Sequence, residues 1–169
     1  VPNIKSSIEY SGIYYEVPHE LHLEGVPWCA VDVERGYLYT AEWTNATVLN
    51  VFDLETLELV KLVPLSQPID RIQGAEIFDG ILYMSCDEEN DMKRIFTLNP
   101  ETGVVEECFK RNIGKQFEAE GLTVFTDENG ELNVTRCFSP AAAAWVLRML
   151  PAASSNPWAP YCSMALPSS

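Results

Sequence analysis

Between Trp28 and Thr56 the chain reads Cys29-Ala30-Val31-Asp32, then Gly36-Tyr37-Leu38-Tyr39, then Val51-Phe52-Asp53-Leu54-Glu55-Thr56. About 46 residues later the same phrases return as Ala75-Glu76-Ile77-Phe78, Gly80-Ile81-Leu82-Tyr83 and Thr97-Leu98-Asn99-Pro100-Glu101-Thr102. A third copy opens at Gly121-Leu122-Thr123-Val124-Phe125. A fixed period of this length marks a repeated unit that buries its apolar faces by stacking on its neighbours.

Each copy parses into short strands. Trp28 to Val33 is a mostly apolar run, as expected of a strand covered on both faces. Glu34-Arg35-Gly36 turns the chain into Tyr37–Trp43, and Thr44-Asn45-Ala46 turns it again into Thr47–Phe52. After Asp53-Leu54-Glu55-Thr56, Leu57 to Val63 alternates like an outer strand with one wet face. The second copy repeats this grammar in Ile72–Phe78, Ile81–Cys86, Lys93–Leu98 and Val104–Phe109. The third supplies Leu122–Phe125 and Glu131–Thr135. Ser139-Pro140 and four alanines then interrupt it before Trp145–Leu150, whose aromatic and β-branched content favours a strand.

Upstream, Gly12 to Val17 also reads as a strand. Its Val17-Pro18 ending lies 46 residues before Val63-Pro64, which places it as a fourth strand with no first three. The expected fold is all-β, a partial β-propeller of about three four-stranded antiparallel blades. Residues 1–11 form an N-terminal arm and 12–17 the orphan strand. Residues 28–63 form blade 1, 72–109 blade 2 and 119–150 a third blade lacking its fourth strand. The Pro-, Ala- and Ser-rich stretch 151–169 is expected to be an extended or disordered tail.

Closed propellers typically have roughly four to eight blades, so three leave a ring open. The expected completion is a homodimer with a six-bladed ring, in which strand 12–17 of one chain fills the gap in blade 3 of the other. The alternative is that this chain is a segment of a longer propeller.

The net charge of −14 disfavours phosphate backbones, so no nucleic-acid partner is expected. The longest apolar run, Ala141 to Leu147, is too short to span a bilayer, and no membrane partner is expected. The five cysteines form no CxxC pair, and their odd number and wide spacing suit free thiols. The chain begins at Val1 with no leader-like segment. A soluble protein is expected, either cytoplasmic or secreted after removal of a leader.

The Gly-(Tyr/Ile)-Leu-Tyr strands and Asp/Asn-x-Glu-Thr turns over residues 12–138 resemble the repeats of NHL, YVTN and gluconolactonase-like propellers. Leu23-Glu24-Gly25-Val26-Pro27-Trp28 is similar to the Glu-Gly-Pro-x-Trp-Asp opening of the gluconolactonase-like members. That resemblance implies a divalent-metal ligand at Glu24. Pro27 is displaced by one residue from that pattern, and Cys29 replaces its aspartate.

Residues before each innermost strand reach the mouth of a propeller's channel. By register these include Trp28, Gln73, Glu76, Glu118 and Glu120, with Trp28 as an apolar wall. Doubled in a dimer, the carboxylates would suit Ca²⁺ or another hard divalent cation, with Glu76 and Glu120 as ligands beside the Glu24 that the resemblance implies. The loop Asp87-Glu88-Glu89-Asn90-Asp91 lacks the glycine and distal glutamate of an EF-hand and reads as a solvated hairpin tip. His19 and His22 read as loop residues, since no serine elbow or cysteine signature accompanies them.

Two functions follow. The first is a non-enzymatic propeller that binds or assembles through its channel mouth or blade faces, with a small-molecule ligand among its candidate partners. The alternative is a metal-dependent, lactonase-like hydrolase using the channel carboxylates.

Overall fold

The computed structural model describes residues 21, 25–87, 92–112, 118–139, 145–150 and 161–164. Strand 12–17, Glu24 and the two histidines lie outside the described residues, as do positions 88–91 of the acidic loop. Among the described residues, twelve strands form three four-stranded antiparallel sheets. Blade 1 comprises β1 (Ala30–Asp32), β2 (Tyr37–Thr40), β3 (Ala46–Asp53) and β4 (Leu59–Ile69). Blade 2 comprises β5 (Ile72–Phe78), β6 (Ile81–Asp87), β7 (Met92–Leu98) and β8 (Val105–Asn112). Blade 3 comprises β9 (Glu118–Thr126), β10 (Leu132–Ser139), β11 (Trp145–Leu150) and β12 (Tyr161–Met164). The inner strands β1, β5 and β9 lie side by side, and the row stays open as a partial propeller.

Two features differ from the sequence reading. The third blade has its own fourth strand: β12 pairs with β11 from Leu147↔Met164 to Leu150↔Tyr161. Strand 161–164 thus occupies the place assigned above to strand 12–17 of another chain. β4 also runs on past Val63-Pro64 to Ile69, with a register shift between the Ala46 and Val48 pairings. Proline lacks the amide a central strand needs, but β4 is the outer strand of its blade, where proline is tolerated.

The repeated turn has a physical cause. The Asp53 carboxylate accepts from the amides of Glu55 and Thr56, at 3.0 and 2.8 Å. The Asn99 side-chain oxygen accepts equivalently from Glu101 and Thr102, at 2.9 and 3.2 Å. The threonine hydroxyls then accept from Glu58 and Val104. A short Asp or Asn followed three residues later by a hydroxyl residue closes the loop this way. The fifth residue donates its amide back to the first carbonyl, in Leu57 at 2.9 Å and in Gly103 at 2.8 Å. Both sit at positive φ, 58° for Leu57 and 74° for Gly103.

Gly103 has a second constraint. A β-carbon there would overlap the Pro64 carbonyl oxygen, because the Ser66 amide binds the Gly103 carbonyl at 2.8 Å and draws β4 close. Gly103→Ala is expected to cost about 2 kcal/mol or more, from the left-handed backbone and the steric overlap together. Leu57→Gly is expected to stay within about 1 kcal/mol of the parent, since strain relief offsets glycine's entropy. Urea unfolding of both variants checks this, and a Gly103→Ala protein as stable as the parent would contradict it.

Candidate functional site

Two apolar clusters join the blades. Ala30, Tyr39, Leu49, Val51 and Val63 of blade 1 pack against Leu82, Met84, Phe96, Leu98 and Val105 of blade 2. On the other side of blade 2, Tyr83, Ile95 and Phe78 meet Val124, Val134, Leu122 and Leu132 of blade 3. At roughly 1.5–3 kcal/mol for each large apolar side chain fully buried, these clusters are the main favourable term holding the row together.

Polar contacts set the register between blades. Arg71, at a φ of 52°, donates its amide to the Trp43 carbonyl at 2.8 Å. The Arg71 carbonyl accepts from the Asp87 amide at 3.0 Å. One residue thus ties the ends of blades 1 and 2 together, and its guanidinium lies 5.9 Å from the Trp43 ring centre. Lys61 of β4 pairs with Glu101 of the blade 2 turn at 2.9 Å.

The residues expected at the channel mouth separate into different roles. Trp28 is 5% exposed and belongs to the core between blades 1 and 2, with no hydrogen-bond partner on its indole nitrogen among the described residues. Gln73 sits at a register shift between Ile72 and Gly74, where a bulge re-aims the strand. Glu118 opens β9 opposite Ser139, and Glu120 is exposed. Gly74 and Gly121 bring β5 and β9 close, since a β-carbon at Gly74 would meet the Gly121 α-carbon at 3.2 Å. Gln73 and Glu120 therefore flank one narrow contact between inner strands.

Glu76 is half-buried, and its carboxylate accepts the Val124 amide at 3.1 Å. Val124 lies in the innermost strand of blade 3, on an edge with no neighbouring strand in its own sheet. Glu76 satisfies that amide from the next blade. Among the described residues no group of three or more His, Cys, Asp or Glu side chains is placed to hold a metal ion.

The far end of the acidic loop also differs from a solvated tip. Asp87 is buried and forms an ion pair with the equally buried Lys93, its cross-strand partner. Removing one member of such a pair strands the other charge away from water. The signal was present as an acidic and a basic residue six positions apart across a hairpin, but neither alone marks burial.

At the opposite end of blade 1, Asp32 accepts from the Arg35 amide at 3.0 Å, the Arg35 guanidinium at 2.8 Å and the Tyr39 hydroxyl at 3.3 Å. Burial pushes the Asp32 carboxyl up, but the hydrogen bonds and charge of Arg35 outweigh it and hold it below the usual carboxylate value. Burial and the neighbouring Asp32 charge push the Tyr39 hydroxyl up.

A register comparison shows what the terminal blades present. Val31, Ile77 and Val124 occupy the same position in successive inner strands, facing the preceding blade. Val124 is 5% exposed and Ile77 packs on the core, whereas Val31 is 42% exposed. In the outer strands, Val105 is 6% exposed and its equivalent Leu59 is 42% exposed, although Phe52, paired with Leu59 on the same face, is buried like its equivalent Leu98. Facing the following blade, Asp32 is buried, Phe78 packs against blade 3, and Phe125 is 41% exposed.

No family model and no curated protein matches the chain. Saccharomyces cerevisiae Sqt1 aligns with it at 12% identity and a TM-score of 0.41, over 66% of this chain and 28% of that one. Kuenenia stuttgartiensis hydrazine synthase aligns at 14% identity and a TM-score of 0.38, over 72% of this chain and 50% of that one. The chain thus spans half or less of the length of either. No helix among the described residues is long and apolar enough to cross a membrane.

The Asp32 cluster sets a pH test. A carboxyl whose folded pKa lies below its unfolded value stabilises the fold above the unfolded pKa, and that stability is lost as pH falls through the folded one. Asp32→Asn is expected to be less stable near neutrality and to lose less further stability below about pH 4. Denaturant midpoints measured across the acid range check this. Parallel curves for the variant and the parent would count against it.

Proposed function

We propose that the chain is a non-enzymatic β-propeller module that binds or assembles through the outer faces of its terminal blades. The observation that carries this reading is the exposure of Val31, Leu59 and Phe125 at positions whose equivalents Val124, Val105 and Phe78 pack between blades. Apolar residues left exposed at positions that are interior in the neighbouring blade support a docking role for these faces. The Gly-x-Leu-Tyr strands and Asp/Asn-x-Glu-Thr turns support placing these blades with the NHL, YVTN and gluconolactonase-like propellers. The mouth formed near Gln73 and Glu120 is the second candidate surface, suited to a small ligand.

The lactonase-like alternative has less support. Glu76 already serves the Val124 amide, and Glu24 lies outside the described residues.

In the folded protein the two end faces are expected either to bind an apolar fluorescent dye or to be covered by a partner. The double variant Val31→Asp, Phe125→Asp should abolish whichever is present and keep the melting temperature within a few degrees of the parent. A folded parent that neither binds dye nor assembles would contradict the reading. A calcium-dependent rise in melting temperature that disappears in Glu120→Gln would turn it towards the metal-dependent hydrolase.

A further inference from the structure

We propose that Arg71, held against Trp43 where blades 1 and 2 meet, is a recognition point for a single carboxylate on a ligand. The site is separate from the end faces, and neither reading depends on the other.

Charge pairing singles Arg71 out. In a protein with a net charge of −14, a cation has carboxylates to spare around it. Among the described residues, Arg35, Lys61, Lys93, Arg94 and Lys110 each pair with an aspartate or glutamate. Arg71 pairs with none of the described carboxylates, and its guanidinium lies over the Trp43 ring. A guanidinium is a rigid fork of N–H donors, and stacking on an aromatic face leaves those donors free to bind.

The backbone argues that this side chain is not there for the fold. Gly25 stands four residues before Cys29 and Arg71 four before Ala75, so the two occupy the same place in the repeat. Both have a left-handed backbone, with a φ of 90° at Gly25 and 52° at Arg71. Glycine adopts it without strain, and a residue with a β-carbon does not. One partly exposed cation–π contact at most matches that strain. The ties from residue 71 to Trp43 and Asp87 use its main-chain amide and carbonyl, which glycine would supply equally well. What arginine adds is the set of unpaired donors.

The surroundings hold those donors in place. Besides the two main-chain ties, the Asn45 amide donates to the Asp70 carboxylate at 3.0 Å, which clamps the loop after Trp43 onto the same crossover. A group fixed in this way loses little freedom on binding. Guanidinium groups take carboxylates or phosphates through two parallel hydrogen bonds. The adjacent Asp70 and the acidic protein as a whole disfavour a doubly charged phosphate, which leaves a singly charged carboxylate. The half-buried Trp43 ring offers apolar contact beside it. The ligand chemistry is therefore a carboxylate next to an aromatic or apolar group, carried by a small acid or by an acidic peptide.

Titration of the full chain with phenylacetate, followed by the NMR signals of the Trp43 indole and the Arg71 guanidinium, tests this. Both signals should shift saturably, and neutral phenylacetamide should bind at least about tenfold more weakly. A glutamyl-phenylalanine peptide capped at both ends, with one side-chain carboxylate, should compete for the same site. If it binds more tightly than phenylacetate the site is supported with a peptide as the source, and if more weakly, with a small acid. Arg71→Gly should weaken phenylacetate binding by about tenfold or more. It should also keep the melting temperature within a few degrees of the parent, because strain relief offsets glycine's entropy and the lost stacking. The absence of a saturable shift, equal binding of the amide, or binding indifferent to Arg71→Gly overturns the inference. A large fall in melting temperature in Arg71→Gly also overturns it, because the side chain would then serve the fold. Inorganic phosphate binding more tightly than phenylacetate overturns the carboxylate assignment.

Discussion

The structure depends on the two-sided burial of blade 2. A four-stranded sheet with two apolar faces is unstable in water until both are covered. Leu82, Met84, Phe96 and Leu98 press on blade 1, while Tyr83, Ile95 and Phe78 press on blade 3. Among the described residues, only the middle blade has a blade on each side. Hydrogen bonds fix how the blades meet, and several come from the outer strand β4, where Ser66 and Gln67 bond Gly103 and Val105 of blade 2. Arg71 ties blade 1 to blade 2, and Glu76 ties blade 2 to blade 3. Apolar burial supplies the energy, and these polar ties choose the register.

The same division explains why the carboxylates do not read as a set. Glu76 is spent on an inner-strand amide, which would otherwise lack a partner within its sheet. Asp32 is spent on the Arg35 turn, and Asp87 on Lys93. Glu120 remains exposed beside the close contact of Gly74 with Gly121. Much of the acidic composition near the blade contacts thus works inside the architecture.

The fold was largely legible because its signals are local. Asp53 with Thr56, and Asn99 with Thr102, form their turns from four consecutive residues, so sequence spacing alone reveals them. Gly36, Gly80 and Gly130 mark hairpins for the same reason, each at positive φ. The fourth strand of blade 3 was hidden because Tyr161–Met164 sits in a Pro-, Ala- and Ser-rich stretch and is defined only by pairing with β11. The true end of β4 was hidden by Pro64, which its outer position tolerates. The candidate site was less legible. The role of Glu76 depends on a blade 48 residues away, and the burial of Trp28 depends on the blade it packs against. The exposure of Val31 and Phe125 is visible only when equivalent positions are compared in three dimensions.

Native-state amide hydrogen exchange tests the central claim most directly, because it reports the stability of each strand separately. If blade 2 is held from both sides, the amides of β6 and β7 exchange slowest, at the rate set by global unfolding. Amides of β2 and β3, and of β9 and β10, exchange faster through partial opening of the end blades. Faster exchange in β6 and β7 than in the end blades would contradict the account.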